Sequence, residues 1–185
     1  AGWCPCGYFF LVDLPRISNN FMNACILTIG NELLQGFTID TNSTWIAKTI
    51  QSYDIYIKKI LTIGDSHDTI IAETKKILDD DIDFLFVTGG LGPTKDDITK
   101  NTICKYFDTD LQIDETILDK LTIKFKSVGK NLNDLNKKQA ELPVGAIVLF
   151  NDWGTAPGMI MEKNNSLFVF FPGVPIEMRS IFNTY

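Results

Sequence analysis

The chain has 185 residues, 45 % of them apolar and 22 % charged, the balance of one well-buried globular domain and not of a disordered segment. Seventeen basic against 23 acidic side chains give a net charge of −6, and no Lys/Arg-rich run or basic helix with interleaved aromatics occurs, which argues against nucleic acid as a direct partner. Cys4 and Cys6 form a lone C-P-C, while Cys25 and Cys104 sit in apolar surroundings without metal-like spacing. Buried thiols in a reducing, cytoplasmic compartment are therefore expected in place of a disulfide framework.

Residues 1–21 read differently from the rest. Their apolar run GYFFLV has no basic segment before it, and Asp13 ends it too soon to span a bilayer, so no membrane partner is expected. Met22 followed by NACILTIG looks like a domain start, so residues 1–21 are taken as an extension without an assigned role and 22–185 as one domain. From Ala24 onward short apolar runs alternate with helical periodicity, the pattern of an α/β fold with a mainly parallel sheet.

ACILTI reads as a buried strand ending at Gly30. TNSTWIAKTIQSY predicts a helix with Trp45, Ile46, Thr49, Ile50 and Tyr53 inward and Asp40 or Thr41 as cap. IYIKKILTI is the next strand, and Asp68 to Asp79 a helix carrying Ile70, Ile71, Thr74, Ile77 and Leu78, with DDDID closing it in solvent. The unbroken run IDFLFV predicts a central strand covered on both faces. Helices are expected over Asp97 to Phe107 and Glu115 to Val128, and a short exposed one in NLNDLNKKQAEL. AIVLF, GMIME and LFVFF are further strands, the last two joined by KNNS with hairpin chemistry, and a final helix starts near Pro175.

In an open parallel sheet, ligands bind outside the carboxyl ends of the strands, so the turns that follow strands carry the candidate chemistry. These turns are GNELLQG with Glu32, GDSHD with Asp65, GGLGPTKDD, and PGVP. The third is neither a P-loop, since Lys95 is followed by Asp, nor a dinucleotide fingerprint, since no third glycine follows Gly90 and Gly92 at the required distance. Its glycines still allow backbone N–H groups to approach an anion at a helix N-terminus. Asp96 and Asp97 have three readings: helix caps, ligands of a divalent cation that would neutralise phosphate held by the loop, or acid/base groups. His67, the only histidine, reads as a surface residue, Trp45 as core and Lys95 as solvated.

The stretches ILTIGNELLQGFTIDTNSTWIAKTI, TIGDSHDTI, FLFVTGGLGPTKDDIT, GTAPGMIME and FPGVPIEM together resemble, in order, the N-terminal domain of the CinA-like (competence/damage-inducible protein A) family of the MoaB/Mog molybdopterin-binding superfamily. The resemblance implies a three-layer α/β/α sandwich. It also implies a role for Asp97, which matches the required aspartate of the Mog-type G-G-T-G-x-x-x-R-D loop, and for Asp65, which matches the second acidic position. Leu91 stands where Mog has threonine and Asp96 where it has arginine, which weakens a transfer of adenylyl chemistry.

What the resemblance favours is metal-dependent hydrolysis of a nucleotide-sugar pyrophosphate, ADP-ribose to AMP and ribose 5-phosphate. The alternatives are a molybdopterin- or nucleotide-binding module without chemistry and a Mog-type adenylyltransferase. The expected site has Asp97 and Asp65 as catalytic residues. Gly89, Gly90, Gly92, Thr94, Asn42, Gly154, Gly158, Pro172 and Gly173 would contact substrate, and Asp96, Asp97 and Glu32 would hold a divalent metal (Mg, Mn or Co). A homodimer is the expected assembly. The sequence ends soon after PGVPIEM, so the domain is expected to be truncated at its C-terminus and to lack the deamidase domain that follows in many relatives.

Overall fold

The computed structural model describes residues 22–93 and 98–185. Its elements in chain order are β1 (Met22–Ile29), α1 (Asn31–Leu34), α2 (Thr41–Ile50), β2 (Ile55–Ile63), α3 (His67–Leu78), β3 (Phe84–Thr88), α4 (Thr99–Phe107), β4 (Leu111–Ile113), α5 (Glu115–Ser127), α6 (Asp134–Lys137), β5 (Glu141–Pro143), β6 (Ile147–Leu149), β7 (Gly158–Lys163), β8 (Ser166–Phe171) and α7 (Pro175–Thr184). A six-stranded sheet has the order β2-β1-β3-β8-β7-β6. β2, β1, β3 and β8 run parallel, and β7 and β6 complete one side antiparallel.

Alternation along each central strand divides the core into two apolar layers. Cys25, Leu27, Leu85, Val87, Phe168 and Phe170 point to one face, where Ile70, Ile77, Ile103, Ile117 and Leu121 from α3, α4 and α5 cover them. Ala24, Ile26, Phe84, Phe86, Val169 and Phe171 point to the other, under Ile46, Ile50, Met178 and Ile181 from α2 and α7. The result is the expected α/β/α sandwich. β3 is buried along its whole length, in keeping with its unbroken apolar run.

Local signals set several boundaries. Asp40 Oδ1 accepts from the Ser43 amide and caps α2, and the Ser66 hydroxyl does the same for α3 through the Thr69 amide. Asn164 and Asn165 both take left-handed φ, 55° and 63°, as the two-residue turn between β7 and β8 requires.

Two expectations differ from the structure. Tyr53 is 55 % exposed and not inward, because the chain tightens into a 3₁₀ turn at Gln51–Tyr53 and reverses at left-handed Asp54 (φ 56°). The NLNDLNKKQAEL segment is α-helical only over α6 and continues as a 3₁₀ turn at Lys138–Ala140. Gln139 and Ala140 in that turn are wholly buried, and β5 pairs antiparallel with β4 in a two-stranded ribbon. Among the described residues no helix is long and apolar enough to cross a membrane.

Phe168 is fully buried and meets the rings of Tyr106, Phe107 and Phe170 at centroid distances of 5.9, 4.9 and 6.3 Å. Truncation to alanine is expected to cost about 3–5 kcal/mol in urea unfolding. Cys25 and Cys104 are free thiols that burial pushes above the ordinary 9.0. Below pH 9.0 the folded and unfolded chains both keep these protons; above it the unfolded chain releases protons that the folded chain retains, so folding stability falls as pH rises toward the folded values. A maleimide titration at pH 8 should accordingly label neither thiol until denaturant unfolds the protein.

Candidate functional site at the carboxyl edge of the sheet

β1 is reached from β2 across one side and from β3 across the other, so the chain leaves β1 toward α2 on one face and β3 toward α4 on the opposite face. In open parallel sheets such a switch point is where a ligand crevice forms beyond the strand ends. Its floor is tightly built. Gly89, with φ 106°, passes so near β1 that a Cβ there would lie 2.2 Å from the Ile29 carbonyl oxygen. A Cβ on Gly173 would lie 3.4 Å from Gly89 Cα. The ends of β1, β3 and the turn after β8 thus meet at Gly89, whose amide donates to Phe171 O at 3.1 Å.

The next residue is shaped by α4. Gly90 has φ 67°, and a Cβ on it would fall 2.1 Å from Thr99 Oγ1. Buried Thr99 ties the turn together, its hydroxyl donating to Gly89 O at 3.2 Å and its amide to Gly90 O at 3.2 Å. The Gly89 N–H is consumed within the sheet, whereas those of Gly90, Leu91 and Gly92 meet no acceptor among the described residues. Those three amides are the unpaired main-chain donors in the described part of this turn.

Asn42, in the first turn of α2, spans the crevice from the other side. Its Nδ2 donates to Thr88 Oγ1 (3.0 Å) and to Gly173 O (2.8 Å), and the Thr88 hydroxyl donates to Pro172 O (3.2 Å). Asn42, Pro172, Gly173, Gly89 and Gly90 are therefore one connected assembly. The GTAPG loop is held by a different network: Asn151 Oδ1 accepts from the amides of Trp153 and Gly154, and its Nδ2 donates to Ala156 O and to Glu177 Oε2. Gly154 lies directly against that carboxylate, since a Cβ there would be 2.0 Å from Glu177 Oε2. Gly158 lies within β7, where a Cβ would stand 2.8 Å from Phe170 O and press on Leu149 and Ile181, so its role in the fold is close packing.

The acidic residues are more dispersed. Glu32 is exposed, with its carboxylate folded back over Gly30, and Asp65 is half-buried in the turn after β2. Asp96, Asp97 and Thr94 lie outside the described residues, as does Lys95. Among the described residues no three His, Cys, Asp or Glu side chains group as metal ligands, so the described part of the site does not by itself form a metal centre. His67 is half-buried rather than on the surface, with Nδ1 2.5 Å from Thr102 Oγ1. Because the Thr102 hydroxyl gives its proton to Ile98 O, Nδ1 is the donor to Thr102.

Residues 25–185 match the family model described as "Probable molybdopterin binding domain". The CinA-like proteins of Flavobacterium psychrophilum and Cytophaga hutchinsonii are 45 % and 40 % identical over 85 % and 88 % of this chain. The crystal structure of CinA from Thermoplasma acidophilum superposes with a TM-score of 0.76 at 33 % identity, covering 87 % of this chain and 94 % of that one. The chain belongs to the CinA-like family. It spans 38 % and 39 % of the length of those two CinA-like relatives. The molybdopterin biosynthesis enzyme MoaB of Thermus thermophilus shares the fold, with a TM-score of 0.60 at 16 % identity over 88 % of each chain.

Within this CinA-like domain, Leu91 has a structural reason to be apolar. It is 2 % exposed and joins the core formed by Ile103, Ile117, Leu121, Ala140 and Leu142, which anchors the glycine turn to α4, α5 and β5. Lys100, in the first turn of α4, reinforces that anchor by donating to Lys138 O (2.8 Å) and Glu141 O (3.0 Å). Between those two carbonyls lies Gln139, whose buried amide has no partner on either atom among the described residues. Thr88, Thr99, Gln139, Asn151 and Glu177 were not singled out from sequence. Thr88 and Thr99 lay in the motif FLFVTGGLGPTKDDIT and Glu177 in FPGVPIEM, whereas Gln139 and Asn151 lay in none.

Gly89→Ala is expected to cost about 3 kcal/mol or more, since it combines a left-handed backbone with a clash against main chain, and thermal unfolding measures it. Asn151→Ala should release the 151–156 loop, with faster limited proteolysis there and roughly 2 kcal/mol lost from several hydrogen bonds.

Proposed function

We propose that this domain holds a nucleotide-sugar pyrophosphate, with ADP-ribose the leading substrate, at the carboxyl edge of β1, β3 and β8 and hydrolyses it to AMP and ribose 5-phosphate. The observation that carries the reading is the set of Gly90, Leu91 and Gly92 amides, unpaired among the described residues, in a strand-to-helix turn ahead of α4. α4 has no side-chain cap at Ile98, which leaves its positive end available to an anion. Donors arranged in this way bind phosphate oxygens without requiring basic side chains.

Hydrolysis of a charged diester requires its phosphoryl charge to be offset and a water to be aligned with it. In this reading Asp97, with Asp96, Asp65 or Glu32, supplies the carboxylates. A divalent cation (Mg, Mn or Co) bound by them would supply Lewis-acid chemistry. Asp65 lies in the turn after β2, a strand that pairs with β1 on the side away from β3, and in this reading it would help align the attacking water. The family description supports a second reading, in which the same crevice binds a pterin or nucleotide without turnover. Leu91 in the core and Asp96 in place of arginine disfavour the third, Mog-type adenylyl transfer.

The deciding assay follows AMP release from ADP-ribose with Mg²⁺, Mn²⁺ or Co²⁺. The expected outcome is turnover that falls about a hundredfold or more in Asp97→Asn with an unchanged unfolding transition. Equal activity in that variant removes Asp97 from the mechanism. Calorimetric binding of ADP-ribose or a pterin without any AMP release would establish the binding module, and an adenylylated pterin formed from ATP would establish the transferase.

A further inference from the structure

Asn42 is expected among the substrate-binding residues, and its hydrogen bonds determine which of its atoms is available and for what chemistry. The side chain is 7 % exposed. Both protons of its amide nitrogen are given to the protein, one to Thr88 Oγ1 and one to Gly173 O. The amide cannot be turned over. Thr88 spends its single hydroxyl proton on Pro172 O, and a peptide carbonyl has none to give, so an Asn42 oxygen facing either partner would meet a second acceptor. Among the described residues Oδ1 is left as a buried acceptor with no donor.

We propose that Asn42 Oδ1 is a specificity-determining acceptor that takes a hydrogen bond from a neutral O–H or N–H donor of the ligand, beside its phosphate. A carbonyl oxygen repels phosphate oxygens, so Asn42 does not hold the pyrophosphate. The Gly90, Leu91 and Gly92 amides, which can only donate, do that. The crevice thus divides its ligand, with donors for the anionic part and an acceptor for the uncharged part. Asn42 belongs to the same assembly as the glycine turn through Thr88 and Gly173, which bounds how far the donor stands from the phosphate. A sugar hydroxyl and a base amino group share this donor chemistry.

The inference rests on the nucleotide-phosphate reading above, and the test separates the two. Titration calorimetry with Mg²⁺ compares AMP, 2′,3′-dideoxy-AMP, inosine monophosphate, inorganic pyrophosphate and a tetrahydropterin on the intact wild-type chain and on Asn42→Ala. One of the two AMP analogues should bind wild type about ten- to a hundredfold more weakly than AMP, the dideoxy compound if a ribose hydroxyl is the donor and the inosine compound if the base amino group is. Asn42→Ala, with a native unfolding transition, should bind AMP and that analogue alike and keep its affinity for pyrophosphate. Asn42→Ser serves if Asn42→Ala fails to fold, and the wild-type comparison decides if both fail.

Equal binding of all three nucleotides by wild type overturns the proposal. So does an equal loss of AMP and pyrophosphate affinity in the variant, the signature of a purely structural Asn42. If no nucleotide binds but the pterin does, the nucleotide reading fails, and the proposal stands or falls on whether Asn42→Ala weakens the pterin. Binding of no probe at all overturns both.

Discussion

The end of β3 has no room for a side chain, and the site is a consequence of that. Gly89 sits against the Ile29 carbonyl on one side and Gly173 on the other, and its amide continues the β3–β8 ladder to Phe171. Only a residue without Cβ and tolerant of positive φ lets β3 leave the sheet at that point. With the strand ends drawn together in this way, Asn42 reaches from α2 to Thr88 and Gly173 at once. Thr88 and Gly89 are thus positioned by backbone that is itself pinned by sheet hydrogen bonds, and Asn42 is tied to them from α2. A site held by strand ends is stiffer than one carried on free loops.

The same geometry would let an acidic protein present the proposed phosphate site. A net charge of −6 repels an approaching anion at long range, so attraction must be local. Amide dipoles act at contact distance and add no net charge. The nearest described lysine on α4 contributes differently: Lys100 is turned toward Lys138 O and Glu141 O and fastens the layer of α5 and β5 over the turn. Leu91 fastens it from the apolar side. In this short stretch the unpaired donors are main-chain amides, while the packing comes from the Leu91 side chain.

The strands were legible because burial on both faces leaves little freedom in composition: IDFLFV and LFVFF can hardly be anything but central strands in an α/β chain. Asn164 and Asn165 announced their hairpin because few residues accept left-handed φ. The β4–β5 ribbon was not legible. Each strand has three residues, and their pairing joins Leu111 to Pro143 across both α5 and α6. Gln139 was read as exposed because it is polar, yet its burial is imposed by α5 and β4 packing around Ala140, which no local pattern records. In the site, the candidate turns could be read from their places after the expected strands. The pairings could not, since Asn42 meets Gly173 131 residues away and Asn151 meets Glu177 across 26.

The unpaired atoms are where local consistency gives way. A domain of this size has a net stability of about 5–15 kcal/mol, and a buried polar atom left without a partner costs about 1–3 kcal/mol. An apolar residue at Gln139, or a side chain at position 42 that made the same two donations without a spare acceptor, would remove that penalty. The two cases differ in kind. Gln139 is enclosed in a turn clamped by Lys100 and has no surface left to offer. Asn42 joins a strand end, a turn and a helix start at the edge of the crevice, and its free atom is of the one type the glycine amides cannot supply. Departures from full hydrogen bonding tend to fall where a protein meets its ligand. At Asn42 the departure also specifies what the ligand must bring, which is a donor.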